Sequence, residues 1–332
     1  MSTPNSATNP ATKSAGIAAL SLSGDISSIL LRIGIICVIG VVLSFVSGSF
    51  ATTDNFLNIL RQASMLFLIS SGLTLVIIGG GLDLSIGANL TLSACLGAAA
   101  MKTTGQPMAG VAAALGCGLL IGVTNGVLIN KLKIPAFLAT FGMLWVAQGI
   151  AYWFMAGQVI YGFPPSFRFF GSGFFLGVPV PIWVMLAVAL GCHLFLARTT
   201  TGREVYFMGA NEAAAHLSGI PVSRRRMLLY TLSGLMAGLT ALIYLARVNA
   251  AEPGIGEPLL LPAIAAVLVG GTSLFGGSGG IIGTILGAVI LTLIVNALNL
   301  LNVSASWHPF VTGAIVLAAV LADTLNNRGS HK

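Results

Sequence analysis

Between Leu66 and Ala100 the chain carries one charge, Asp83. An unbroken helix over that tract would be about 50 Å long at ~1.5 Å per residue, and the hydrocarbon core of a bilayer is only ~30 Å thick. The tract must break, and Gly79, Gly80 and Gly81 are the cheapest place, because glycine turns the backbone without a Cβ penalty. Asp83 follows the break and admits two compatible readings. As the N-cap of the next helix, near one membrane face, its carboxylate accepts from exposed backbone amides and meets the positive helix end. As an ionisable group at membrane depth it belongs to a substrate or ion path.

Composition supports lipid as the solvent. Of 332 residues, 56% are hydrophobic and 7% charged, whereas a water-facing domain carries about 25% charge. The net charge of +7 is read as Lys and Arg gathered in cytoplasmic loops, with no call for a nucleic-acid partner. Cys37, Cys95, Cys117 and Cys192 all lie in apolar runs without ligand spacing, so they read as packing residues rather than a disulfide framework or metal site. Residues 1–27 are rich in Ser, Thr, Ala and Asn and read as a disordered cytoplasmic tail. Lys13 is the one early cation and the first strong apolar run begins near Ile26, so a cleaved signal peptide is not expected.

Ten candidate spans follow from the apolar runs: 28–49, 63–80, 84–101, 108–130, 135–156, 180–197, 227–246, 260–275, 281–301 and 309–325. The expected fold is therefore all-α and polytopic, with one transmembrane domain over 28–325, a long loop at about 198–226 and a short tail at 326–332. With the N-terminus inside, eleven Lys and Arg fall on inside segments and four (Arg61, Lys102, Arg168, Arg247) outside. The positive-inside rule then places both termini in the cytoplasm.

Catalytic and nucleotide motifs do not emerge. The glycine-rich stretch 268–288 lacks the Lys and Ser/Thr that should follow the last glycine of a P-loop, so the chain is not expected to hydrolyse ATP or bind a cofactor itself. The histidines (His193, His216, His308, His331) are isolated and no metal site is expected. Polar content within the spans is uncharged and includes Asn89, Thr91, Asn125, Asn130, Thr140, Gln148, Thr231, Ser233, Asn296 and Asn299. Such amides and hydroxyls suit a neutral polyhydroxylated solute, and they also bond helices to one another. Asp83, Ser85, Asn89, Asn125, Thr140, Asn296 and Asn299 are the candidate path residues.

The stretch "TGREVYFMGANEAAAHLSGIPVSRRRML" at 201–228 holds a short helix over Asn211–Leu217, with Asn211 as N-cap and Glu212 in its first turn. Gly219 and Pro221 end it. A helix this short is marginal alone in water, so it reads as a peg for a partner's groove. The alternative is a surface linker whose arginines anchor topology.

"GGGLDLSIG", "GANEAAAHLSGIPV", "AIAAVLVGGTSLFGGSGGIIGT" and "NALNLLNVSASW", in this order from about Asn55 to Asp323, resemble the membrane permeases of ABC importers for monosaccharides (the ribose, galactose, arabinose and xylose group). The resemblance implies an architecture similar to the vitamin B12 importer and a dimer of permeases in the bacterial inner membrane. It also implies a cytoplasmic ABC ATPase using ATP and Mg, and an extracytoplasmic sugar-binding protein. The family's coupling motif maps onto Gly209, Asn211, Glu212, Ala213, Ala214, Ser218, Gly219 and Ile220. The broader permease pattern has three residues between Glu-Ala-Ala and Gly, and here there are four, a departure shared by the sugar group. Within that resemblance the cargo alternatives are an inositol, a furanosyl signalling sugar or an amino acid. Outside it stands an ion-coupled secondary transporter, which expects acids or histidines at mid-membrane; only Asp83 is a candidate, and the topology places it near one face.

Overall fold

The computed structural model of the chain describes residues 10–330. Its helices, in chain order, are α1 (Pro10–Val46), α2 (Thr53–Ile78), α3 (Ile86–Thr104), α4 (Pro107–Asn130), α5 (Ala136–Met155), α6 (Pro165–Ser172), α7 (Val180–Arg198), α8 (Thr200–Ala210), α9 (Glu212–Leu217), α10 (Val222–Val248), α11 (Glu257–Val269), α12 (Ile281–Leu300) and α13 (His308–Ser330). α1 begins at Pro10 and α13 runs to Ser330, so helix extends into both segments read as tails. Residues 1–9 and 331–332 lie outside the described residues.

Among the described residues, stretches of α1, α2, α4, α5, α7, α10, α12 and α13 are long and apolar enough to cross a membrane, eight in all. The other two expected spans are α3 and α11. α3 has 19 residues but carries Asn89, Thr91, Ser93, Lys102, Thr103 and Thr104, while α11 is apolar but only 13 residues long. The protein is a polytopic, all-α membrane protein.

α2 is the axis of the bundle. From Ala63 to Ile78 it is buried on every face and carries no charge, the pattern of a helix surrounded by others. Its small hydroxyls are satisfied inside the bundle: Ser70 Oγ donates to Leu66 O at 2.6 Å, and Thr74 and Thr284 share a 2.7 Å bond between α2 and α12. α1 and α13 lie at the rim, with almost none of their span buried. α1 is pinned by Arg32, whose Nε donates to Val269 O at 2.9 Å. That places a cation on the last carbonyls of α11, where the helix dipole favours it.

The tightest helix pair is α4 with α10. A Cβ on Gly234 of α10 would strike the carbonyl oxygen of Gly118 on α4, and one on Gly122 would strike that of Tyr230. Backbone-to-backbone contact through small residues is how spanning helices gain dispersion energy, since lipid removes the hydrophobic drive between them.

Two short antiparallel pairs tie the loops. β1 (Ile160–Tyr161) pairs with β4 (Ala250–Ala251), and β2 (Phe174–Phe175) with β3 (Val178–Pro179). The loop from β4 to α11 packs on α3, where Gly256 N donates to Thr91 Oγ1 at 2.9 Å.

Candidate functional site

The site is assembled at the break between α2 and α3, and the glycines make it. Gly79 closes α2, and Gly80 turns at φ +76, a conformation that a Cβ would strain. Gly80 N and Gly81 N still find acceptors in Ile77 O and Val76 O, at 2.9 and 3.0 Å. The chain then runs into the bundle. Asp83 is 1% exposed, and α3 begins three residues later with Ser85 as its N-cap.

Asp83 is therefore not the N-cap expected from the sequence. Its carboxylate instead holds three elements together. Oδ1 accepts from Ser85 N at 3.1 Å and Ser85 Oγ at 2.6 Å, and Oδ2 accepts from Ser233 Oγ of α10 at 2.7 Å. Ser85 Oγ accepts in turn from Asn125 Nδ2 of α4 at 2.8 Å. The neighbouring Leu82 carbonyl accepts from Tyr230 Oη of α10 and Thr140 Oγ1 of α5, each at 3.2 Å. Hydrogen bonds, not a cation, satisfy this buried carboxyl group, and neither the Arg225–Glu204 nor the Arg226–Glu212 ion pair involves it.

Of the seven candidate path residues, Asp83, Ser85, Asn125 and Thr140 meet at this clasp. Asn89 is on the next turn of α3, donating to Gly118 O at 3.1 Å and accepting from Ser93 Oγ. Asn296 lies elsewhere, in a reciprocal amide pair with Asn55, and Asn299 is exposed near the end of α12. None of the seven lines the apolar cavity of about 610 Å³ among α2, α10, α11, α12 and α13, which includes Tyr244, Arg247, Glu257 and His308. Tyr230 and Ser233 were not among the candidates. Their signal is an i, i+3 spacing that puts both on one face of α10.

The break also contacts the long loop. A Cβ on Gly209, at the end of α8, would strike Ile78 O, and Gly277 N donates to that same carbonyl at 2.9 Å. Gly80 rests on the Gly209 backbone. One step further is the peg. Asn211 caps α9, its Oδ1 accepting from Ala214 N at 3.0 Å, and Glu212 pairs with Arg226 at the start of α10. Ala213 and Ala214 lie exposed, Ser218 Oγ donates to Ala214 O at 2.9 Å, and Gly219 turns at φ +81. Ile220 N then returns to Ala215 O at 3.1 Å. Ala215 alone in α9 is buried, while Leu217 is 90% exposed. Among the described residues no group of three or more His, Cys, Asp or Glu is placed to hold a metal.

Residues 55–320 match the family described as branched-chain amino acid transport system / permease component. The chain belongs to this permease family. The permease is 41% identical to the ribose import permease protein RbsC of Escherichia coli K12 over 85% of its own length and 89% of the relative's. It is 41% identical to RbsC of Bacillus subtilis over 85% and 88%, and 36% identical to the D-allose transport system permease protein AlsC of E. coli K12 over 83% and 85%. No solved structure matches the permease.

Proposed function

We propose that the permease is the membrane-spanning subunit of an ATP-driven ABC importer in the bacterial inner membrane, and that its cargo is a monosaccharide such as ribose or a related pentose or hexose. Similarity to ribose and allose permeases over most of both chains supports the cargo class. A cytoplasmic ABC ATPase, using ATP and Mg, drives the cycle, an external sugar-binding protein delivers cargo, and two copies of the permease form the path. The excess of Lys and Arg on the α9 side supports cytoplasmic termini.

The observation that carries the reading is α9. A six-residue helix has too few internal hydrogen bonds to persist alone, yet this one is capped at Asn211, tethered by Glu212 and presents Leu217 outward. That is the form of a part made to insert into another protein. Its root is backbone against backbone with the α2–α3 break, so closure of an ATPase around ATP displaces the clasp, and the difference in stability between inward and outward states comes from the partner.

The test is uptake of labelled sugar into proteoliposomes holding the permease, its ATPase and its binding protein. Glu212→Arg and Gly219→Val are each expected to lower ATP-dependent uptake at least tenfold (about 1.4 kcal/mol) with unchanged insertion. Wild-type uptake in both variants sinks the peg reading. Uptake that an ionophore abolishes and ATP removal does not would establish gradient-driven transport instead.

A further inference from the structure

A cavity of about 910 Å³ lies beside α9, and its wall is basic. Lys133 comes from the α4–α5 turn, Arg224 and Arg226 from the start of α10, and Glu212 and His216 from α9, while the backbone of Gly80 and Gly81 belongs to the same wall. Three cations face one carboxylate. Glu212 is paired with Arg226, and among the described residues no carboxylate stands within ion-pair distance of Lys133 or Arg224. The neighbouring Arg225 differs: it is tied to Glu204 outside this wall.

Topology alone does not require this arrangement, because the positive-inside effect is met by cations anywhere in a short loop. Here cations from the α4–α5 turn and from the start of α10 line a single concavity. Lys133 moreover holds a left-handed backbone, φ +54, which a β-carbon disfavours. The fold of the turn therefore fixes its Cα at the wall, while its side chain is exposed and reaches the cavity from there.

We propose that this cavity is an anion site for a phosphate group, held by Lys133, Arg224 and Arg226 with the Asn130 amide beside them. The chemistry favours phosphate: it carries ≈ −1 as a diester and nearly −2 as a monoester at neutral pH, and its oxygens accept from cations approaching on several sides. Guanidinium groups match it through paired N–H donors. A phosphate here competes with Glu212 for Arg226, so its binding loosens the tether of α9 and reports the state of the anion pool to the peg. The placement of the cavity on the cytoplasmic side rests on the topology proposed above; the binding itself does not.

Two sources share this chemistry, a soluble phosphate ester and the headgroup of an anionic lipid. Full-length permease in mild detergent is titrated with ribose 5-phosphate, against ribose and chloride as controls, by isothermal calorimetry. Permease in nanodiscs of phosphatidylglycerol or phosphatidylcholine is examined by native mass spectrometry for retained lipid. The expected result is phosphate-dependent binding in at least one arm, reduced at least tenfold in K133Q/R224Q and kept near wild type in the charge-conserving K133R. Monodisperse elution of each variant confirms that it folds.

Binding of ribose 5-phosphate assigns a soluble ester. Selective retention of phosphatidylglycerol assigns the lipid. No preference over the controls in either arm, or binding unchanged in K133Q/R224Q, overturns the site. Because sugar uptake is measured separately, an empty cavity in a protein that still imports sugar with ATP refutes the anion site and leaves the importer reading standing.

Discussion

Replacing Gly234 by valine is expected to leave no folded permease in the membrane. The added Cβ would strike Gly118 O and also approach the Cα of Gly122 to 2.8 Å. These are backbone atoms of α4, and no rotamer change moves them aside. The helices must separate, and dispersion contacts decay steeply over even 1 Å. Overpacking costs about 1–3 kcal/mol where side chains can yield, and more is expected where they cannot. Separation would also pull Ser233 and Asn125 away from the Asp83 clasp. The measurement is size-exclusion chromatography of a fluorescent fusion in mild detergent, where the monodisperse peak should vanish. Gly142 on α5 is the control, since open space surrounds its Cβ position; Gly142→Ala should match wild type or gain about 0.5–1 kcal/mol from lower unfolded-chain entropy. A folded Gly234→Val protein with wild-type thermal stability would refute the close α4–α10 contact.

The second large effect is expected at Asp83. Asp83→Ala removes the acceptor of Ser85 N, Ser85 Oγ and Ser233 Oγ together. Hydroxyls can rotate to seek other partners, but in a buried site the loss is expected to reach about 3 kcal/mol, the upper end for buried donors left unsatisfied. Asp83→Asn keeps the shape and one carbonyl, and Ser233 Oγ can turn from donor to acceptor, so about 1 kcal/mol is expected. Thermal unfolding of the two variants in detergent gives the order, and sugar uptake separates the two sequence readings of this residue. A structural clasp predicts that Asp83→Asn folds and still transports. A charge used by cargo or ions predicts a variant that folds normally and transports nothing.

Much of this architecture was legible because the bilayer imposes a length. Every one of the ten apolar runs corresponds to a helix, and the break at Gly79–Gly81 was readable from arithmetic on 35 residues that could not be one span. The bounds of α9 were equally readable, since an Asn cap and a Gly–x–Pro stop are local chemistry. What stayed hidden depends on distant pairing. Nothing near Asp83 in sequence announces Ser233, 150 residues away. Nothing local distinguishes Asn125, which meets the clasp, from Asn296, which pairs with Asn55. The shortness of α11 was also unreadable, because the apolar run 260–275 passes through Val269, where the helix ends, into the glycine turn. Apolar content measures depth in lipid and is silent about where backbone hydrogen bonding stops.

The contact of Gly80, Gly209 and Gly277 with the end of α2 has a mechanical consequence. Where elements meet through side chains, a small push is first absorbed by torsional give, and the neighbour moves late and by less. At this joint the touching atoms are peptide units, which have no χ angles to yield and bend only at steep cost. Displacement at α9 therefore reaches the foot of α2 without lag, as in a linkage with no play. Stiffness of that kind is available only to residues that have no side chain to interpose.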